Sequence, residues 1–392
     1  MLQFSKYQGL GNDFLILDVR SLGDVADAAL PDTVQVARLC DRRFGVGADG
    51  LIAALPPLSD GEVRMRIFNT DGSEPEMCGN GIRCLARFLA DSDGAEPGRR
   101  WQIETGAGRI VPELRPDGLI KVDMGPPFLT PESVPTALPM GPNGVPEGIL
   151  EVMGDSLAVA AAGMGNPHVV VPVTDVAAVE LETLGPLLET HPAFPAKTNV
   201  HFVEVVSPEH LRLRVWERGA GPTLACGTGA CATLVVCHSL GLCARRARLD
   251  LPGGPLEICW DAESGHVLMT GPALAVFDGV VAPELLERGT PGTESAAAGS
   301  ENVPASAPAA SPEPQQARGT GQAGPAAPEP IDCAQRCREG CIRPEACSSA
   351  EAIARVEALL GGRSLDELVA MAADSLELRT RRRAGLDQSD PS

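Results

Sequence analysis

No run of about eighteen consecutive apolar residues occurs anywhere in the chain, which excludes an ordinary membrane-spanning helix. Positive charge is scarce: 32 Lys and Arg stand against 52 Asp and Glu, a formal net charge of −20. Such a surface repels phosphate backbones and anionic headgroups, so neither nucleic acid nor a membrane is an expected partner. The first residues, Met1-Leu2-Gln3-Phe4-Ser5-Lys6, lack the apolar core of a signal peptide. The twelve cysteines therefore read as reduced, catalytic or metal-bound rather than as a disulfide framework, and the expected location is the cytoplasm.

What is present suits a globular protein of two or three domains. The chain has 392 residues, 44% of them hydrophobic, with 43 Gly and 35 Pro that imply many turns and at least one unstructured stretch. Its organising feature occurs twice. Arg66-Ile67-Phe68 runs through a Gly-containing turn to Cys78-Gly79-Asn80-Gly81, and Arg214-Val215-Trp216 runs the same distance to Cys226-Gly227-Thr228-Gly229. An apolar run of helical composition follows each time, Ile82 to Leu89 and Ala230 to Val236. Each copy predicts strand, loop, Cys, two glycines, helix. A cysteine at a helix start faces unpaired backbone N–H groups and the positive end of the dipole, which favour a thiolate.

The plainer reading makes these thiols small buried hydrophobes, or half of a zinc site with Cys84 and Cys231. The spacings Cys78-x5-Cys84 and Cys226-x4-Cys231 do not fit closed zinc sites. Cys84, Cys231, Cys237, Cys243 and Cys259 read as core residues.

The rest of the first half holds a polar turn at Gly9 to Asp13, the strand-like Phe14 to Leu17, and a helix from an Asp32 or Thr33 cap to Arg43. Gly45-Val46-Gly47-Ala48-Asp49-Gly50 matches the dinucleotide pattern literally. It follows a helix and precedes the strand-like Leu51 to Ala54, the reverse of the order that fingerprint needs. Short β-rich pieces follow: Trp101 to Glu104, Arg109 to Val111 and Leu119 to Val122. A Pro- and Gly-dense connection, 125–148, leads to the second half. There Val169 to Val171, a helix over Thr183 to Glu189, and Val200 to Val206 precede the second Cys unit. Leu256 to Trp260, Val267 to Thr270 and Ala273 to Gly279 close it.

The expected fold class is α+β: two pseudo-symmetric domains, each a mixed or antiparallel sheet wrapped around a central helix. The halves are placed at 1–124 and 125–283. A disordered linker, 284–330, is inferred from the collapse in composition to Ala, Pro, Gly, Ser, Glu and Gln. A small helical appendage, 331–392, follows. Its Cys333, Cys337, Cys341 and Cys347 are either a zinc or iron–sulfur ligand set or the filling of a miniature core.

Two thiols offered to one carbon from opposite sides are what a cofactor-free inversion of stereochemistry needs. One thiolate removes the α-proton and the other, as a thiol, returns a proton to the opposite face. Two helix N-termini with open Gly-x-Gly backbone would hold the α-carboxylate.

At this level the chain resembles the diaminopimelate epimerases over residues 2–280. The matching motifs are Gly9-Leu10-Gly11-Asn12-Asp13-Phe14, Asn69 to Glu74, Met77 to Cys84 and Gly165-Asn166-Pro167-His168. Thr198-Asn199-Val200, Glu217 to Gly221, Ala225 to Gly229 and Leu251 to Gly254 match as well. The resemblance implies interconversion of LL- and meso-2,6-diaminoheptanedioate on the route to lysine and, in many bacteria, peptidoglycan precursors. It implies no cofactor, no metal in the catalytic region and a homodimer. It assigns Cys78 and Cys226 as the acid–base pair, with Gly79, Asn80, Gly227 and Thr228 cradling the reacting carboxylate. Asn12, Asn69, Asn166, Asn199, Glu217 and Arg218 would contact the rest of the substrate, and Glu217 and His168 would tune the thiols.

The residue types suit a doubly zwitterionic ligand: Arg218 can fork onto a carboxylate, and the Asn amides both donate and accept. Taken alone, each Asn could equally be a turn residue, Asn166-Pro167 above all. The chain departs from many members at Gly50, where they carry Gln, and at Pro222, where they carry Glu. Residues 290–392 have no counterpart in the family pattern. Two other readings remain: a proline racemase-like enzyme with the same thiol pair but without the distal recognition set, and a binding or regulatory protein acting through its tail.

Overall fold

The computed structural model describes residues 2–287. The linker beyond residue 287 and the appendage with Cys333, Cys337, Cys341 and Cys347 lie outside the described residues. A short helix, Pro283–Leu286, ends the described chain, and Gln35 ties it down by donating to Leu286 O at 2.7 Å.

Four longer helices punctuate the fold: α1 (Thr33–Cys40), α2 (Gly79–Asp93), α3 (Leu181–Glu189) and α4 (Gly227–Ser239). The strands form two sheets. The first has seven strands in the order Leu274–Val281, Leu2–Gly9, Asn12–Asp18, Gly50–Leu55, Val63–Asn69, Ile103–Thr105 and Gly108–Ile110. The second has eleven, and its central run is Asp155–Gly163, Pro167–Val173, Asn199–Ser207, His210–Glu217 and Arg246–Leu251.

The two sheets repeat one plan. Asn12–Asp18 lies parallel to Gly50–Leu55, which lies antiparallel to Val63–Asn69, and α2 follows. Pro167–Val173 lies parallel to Asn199–Ser207, which lies antiparallel to His210–Glu217, and α4 follows. α1 and α3 occupy equivalent crossovers. The register makes Gly50, opposite Phe14, the counterpart of Asn199, opposite His168. The architecture is α+β with two pseudo-symmetric, sheet-rich domains. The sheets also exchange strands: Ile120–Asp123 pairs into the second sheet, and Leu274–Val281 pairs with Leu2–Gly9 in the first.

Sequence pattern explains the layering. In Val63–Asn69, Val63, Met65 and Ile67 point to the core, while Arg64 and Arg66 point out to Asp27. Gly50–Leu55 is buried along its whole length because helices cover both faces of its sheet, so it reads as a continuous apolar run. α2 and α4 are the central helices, and their side chains belong to one core cluster that spans both sheets. Ile82, Leu85, Leu89, Leu234 and Val235 are fully buried there, each contributing roughly 1.5–3 kcal/mol. α1 and α3 cover the outer faces with separate clusters.

Three expectations are corrected. α1 starts as read, with Asp32 and Gln35 forming a reciprocal cap, but it stops at Cys40 rather than Arg43. Asp41 ends it by accepting from the backbone N–H groups of Arg43 and Phe44, both at 2.7 Å. The strand expected over Trp101 to Glu104 forms as Ile103–Thr105. Cys84, Cys231, Cys237 and Cys243 are buried as expected, whereas Cys259 is half-exposed. Its strand alternates, and with Leu256 and Ile258 facing inward, Cys259 faces out. Among the described residues no helix is long and apolar enough to cross a membrane.

Candidate active site

The loop after Val63–Asn69 delivers Cys78, and the loop after His210–Glu217 delivers Cys226. Each cysteine is extended (φ −136° and −119°) and caps the helix that follows it. Cys78 Sγ accepts from Gly81 N–H at 3.5 Å, and Cys226 Sγ from Gly229 N–H at 3.4 Å. The sulfurs thus fill the position that Ser, Thr or Asp usually fills at a helix start.

The two helices meet end to end. A Cβ added to Gly79 would lie 3.8 Å from the Cα of Gly227, and one added to Gly227 would lie 3.7 Å from the Cα of Gly79. Met269 lies against both glycines. Two positive helix ends therefore converge, and neither Gly79 nor Gly227 adds a side chain of its own at the junction.

Above this junction opens a cleft of about 1120 Å³. Asn12, Asn69, Cys78, Gly79, Asn80, Asn166, Glu217, Arg218, Cys226, Gly227 and Thr228 all line it. Residues far apart in sequence are cross-tied. Asn80 Nδ2 donates to Asn12 Oδ1 and to Ala225 O, both at 3.2 Å, and so joins the two half-sites. Asn12 Nδ2 donates to Asp49 Oδ2 at 2.9 Å, and Asp49 is held in turn by Arg42. Thr223 donates to Glu217 Oε1 at 2.6 Å, while Asn69 donates to Ser73 Oγ at 2.9 Å. Pro222 sits in the short strand Gly221–Thr223 opposite Trp216, on the cleft rim.

Arg218 is exposed to the cleft and has no carboxylate partner among the described residues; Nη1 donates to Ala196 O at 3.0 Å. Arg42, the other cation of the cleft, is already paired with Asp13 and Asp49.

Two predicted site residues do not face the cleft. Asn199 is buried, donating to Pro167 O and accepting from the Arg218 backbone N–H, both at 2.9 Å. It braces the loop that presents Arg218. His168 is also buried and makes no hydrogen bond to either sulfur. Its Nε2 bonds Asn166 Oδ1 at 2.8 Å, and its Nδ1 bonds His201 Nε2 at 2.9 Å. Sequence reading missed His201, and no local signal marked it; only the register opposite Val215, one strand from His168, brings it there.

The electrostatics also differ from the simple helix-start expectation. Burial pushes both thiols above the usual cysteine range, Cys226 well above it, because a thiolate there would leave water behind. The Glu217 charge raises both further, and the Gly81, Gly229 and Thr228 donors oppose the rise without cancelling it. Burial raises the Glu217 carboxyl too, against the Thr223 and Cys226 contacts. His201 falls to about 3 by burial, and His168 falls well below its ordinary value by burial, His201 and Arg218, so the pair is neutral at physiological pH.

A family model described as diaminopimelate epimerase matches residues 4–130 and 160–276. The diaminopimelate epimerase of Prochlorococcus marinus is 59% identical over 285 residues, covering 73% of this chain and 94% of that protein. That of Synechococcus elongatus is 56% identical over 278 residues, 71% of this chain and 97% of that protein. Among solved structures, a predicted epimerase from Pseudomonas aeruginosa is similar in fold, with TM-score 0.53 and 18% identity over 72% of this chain and 99% of that one. A probable proline racemase from Agrobacterium radiobacter is similar at TM-score 0.52 and 16% identity, covering 74% and 97%.

Proposed function

The chain belongs to the diaminopimelate epimerase family, and from that membership we propose that Cys78 and Cys226 invert the α-carbon of its substrate by a two-thiol proton exchange. The enzyme is an isomerase that interconverts LL- and meso-2,6-diaminoheptanedioate in lysine biosynthesis. One observation carries the mechanism: two Cys-capped helices meet end to end on the floor of a single cleft.

In the forward step one cysteine, as thiolate, takes the α-proton and becomes a thiol. The C–H electron pair stays on the substrate and spreads into its α-carboxylate. The opposite thiol gives its proton to the other face of the carbon and becomes the thiolate, so charge and protons balance. The burial that raises both thiols makes the thiolate, once formed, a strong base for a weak carbon acid. Glu217, beside Cys226 and itself raised, is suited to accept the proton that sets up the thiolate.

The helix N-termini at Gly79-Asn80 and Gly227-Thr228 would hold the reacting carboxylate. Arg218, unpaired with any carboxylate among the described residues, would hold the distal carboxylate, and Asn12, Asn69 and Asn166 provide mixed donors and acceptors for the distal ammonium and carboxylate. Asn199 and His168 act one layer out, on Arg218 and Asn166. We further propose the division into halves near residue 124, and a homodimer. The dimer is supported by Leu274, Val276 and Val280, apolar and exposed on the edge strand of the first sheet. Reduced thiols suit the cytoplasm.

The test is incubation of purified protein with LL-diaminopimelate in deuterium oxide, without added cofactor. The meso isomer with solvent deuterium at the inverted carbon is expected. Conversion without deuterium uptake excludes the mechanism. The same assay with proline separates a proline racemase-like activity, which has no second charged end for Arg218 to hold.

A further inference from the structure

Arg83 is the only Lys or Arg buried among the described residues, at 0% exposure. No carboxylate there pairs with it. Its guanidinium turns back along α2 towards the helix start, as long helical side chains do. Nη1 donates to Gly79 O at 3.0 Å, Nη2 to Asn80 Oδ1 at 2.8 Å, and Nε reaches Pro272 O at 3.4 Å. Nη1 also lies 3.4 Å from Met269 Sδ, the residue packed against both Gly79 and Gly227. Gly271 clears space for the group: a Cβ there would lie 3.3 Å from Nε. The cation therefore sits under the junction of two helix ends that are already positive. Those like charges repel one another, and a buried cation without a carboxylate partner costs stability. Three positive sources converge on a place where no described side chain supplies the anion.

We propose that Arg83 is a positioning residue of the epimerisation, holding Asn80 under the reacting carboxylate and lending its charge to that carboxylate and to the Cys78 thiolate. The assignment rests on the two-thiol reading above. Through the 2.8 Å bond it fixes the Asn80 carboxamide that bridges Asn12 and Ala225, so both half-sites keep their spacing. Its charge also opposes the burial that raises Cys78.

The experiment compares wild type with Arg83→Met, Arg83→Gln and Arg83→Lys in kcat, KM, the pH profile of kcat/KM and thermal unfolding. The neutral variants should stay folded, while kcat falls roughly 10²-fold, as on losing one preorganised donor, by a larger factor than KM rises. Removal of the charge raises the thiol pKa, so their acid limb should move to higher pH. Arg83→Lys keeps the charge and should keep the wild-type limb. A neutral variant with wild-type turnover, or with lowered turnover and an unmoved limb, overturns the proposal. So does failure of both neutral variants to fold, since the charge would then serve the fold. A wild-type protein that exchanges no α-proton would instead defeat the two-thiol reading.

Discussion

Gly79 and Gly227 open α2 and α4 nearly in contact, each placed so that a Cβ would fall within 3.8 Å of the other's Cα. Everything chemical about the cleft follows from that approach: it brings two Cys-capped helix ends to one carboxylate-sized space. A Cβ on Gly227 would lie 3.1 Å from Met269 Sδ, so a methyl group there is accommodated only by a shift of that flexible side chain.

Gly227→Ala should therefore leave the fold nearly intact, since alanine also favours the helix. The methyl group would push on Met269 and on the Gly79 backbone, so the two helix ends would part, and kcat/KM should fall at least about tenfold, the effect of ~1.4 kcal/mol at the transition state. Tm and steady-state kinetics on the same preparation check this; unchanged kcat/KM would remove the cradle from that glycine.

Cys78→Ser and Cys226→Ser keep an oxygen to accept from Gly81 and Gly229, so the caps and the fold should survive. Each should still lose roughly 10²–10⁴-fold in turnover, because a hydroxyl is too weak an acid–base group to replace a thiol. Near-wild-type turnover in either single variant would exclude a paired mechanism.

Arg218 has no carboxylate partner among the described residues, and charged hydrogen bonds contribute roughly 1.5–3 kcal/mol. Arg218→Met should raise KM about ten- to hundredfold with a smaller change in kcat, the pattern of lost uniform binding. Arg218→Lys should recover only part, for want of the planar fork. A loss confined to kcat would place Arg218 at the reacting centre instead.

The His168–His201 pair predicts an acid sensitivity. Both pKa values lie below the ordinary 6.5, His201 at about 3, so below pH 6.5 the unfolded chain binds protons that the folded chain refuses. Stability is fully present above 6.5 and falls as pH drops towards the folded values, at about 1.4 kcal/mol per pH unit for each histidine. Urea unfolding of His201→Leu should show a drop between about pH 7 and about pH 5 that is smaller than wild type's by ~2 kcal/mol. An equal drop in both would mean that His201 charges in the folded protein.

Much of this was legible from the chain alone. The repeated run from Arg to Cys-Gly-x-Gly marked two strand–loop–helix units and placed Cys78 and Cys226 at helix starts. The choice of Asp32 or Thr33 as a cap marked the start of α1, and Asp32 fills that position. These are local properties, set by neighbours a few residues apart. Tertiary structure alone decided what depends on packing between distant segments. It turned Asn199 and His168 away from the cleft, put His201 behind His168 and turned Cys259 outward. It drew Arg83 under the helix junction with no carboxylate partner among the described residues. It also reversed the electrostatic expectation for the thiols, because a helix end acts over one turn whereas desolvation sums over every group that excludes water. Composition and spacing record which groups the chain carries, but the free energy of a charge depends on what surrounds it, and the surroundings of Arg83 come from Met269 and Pro272, at the far end of the described chain.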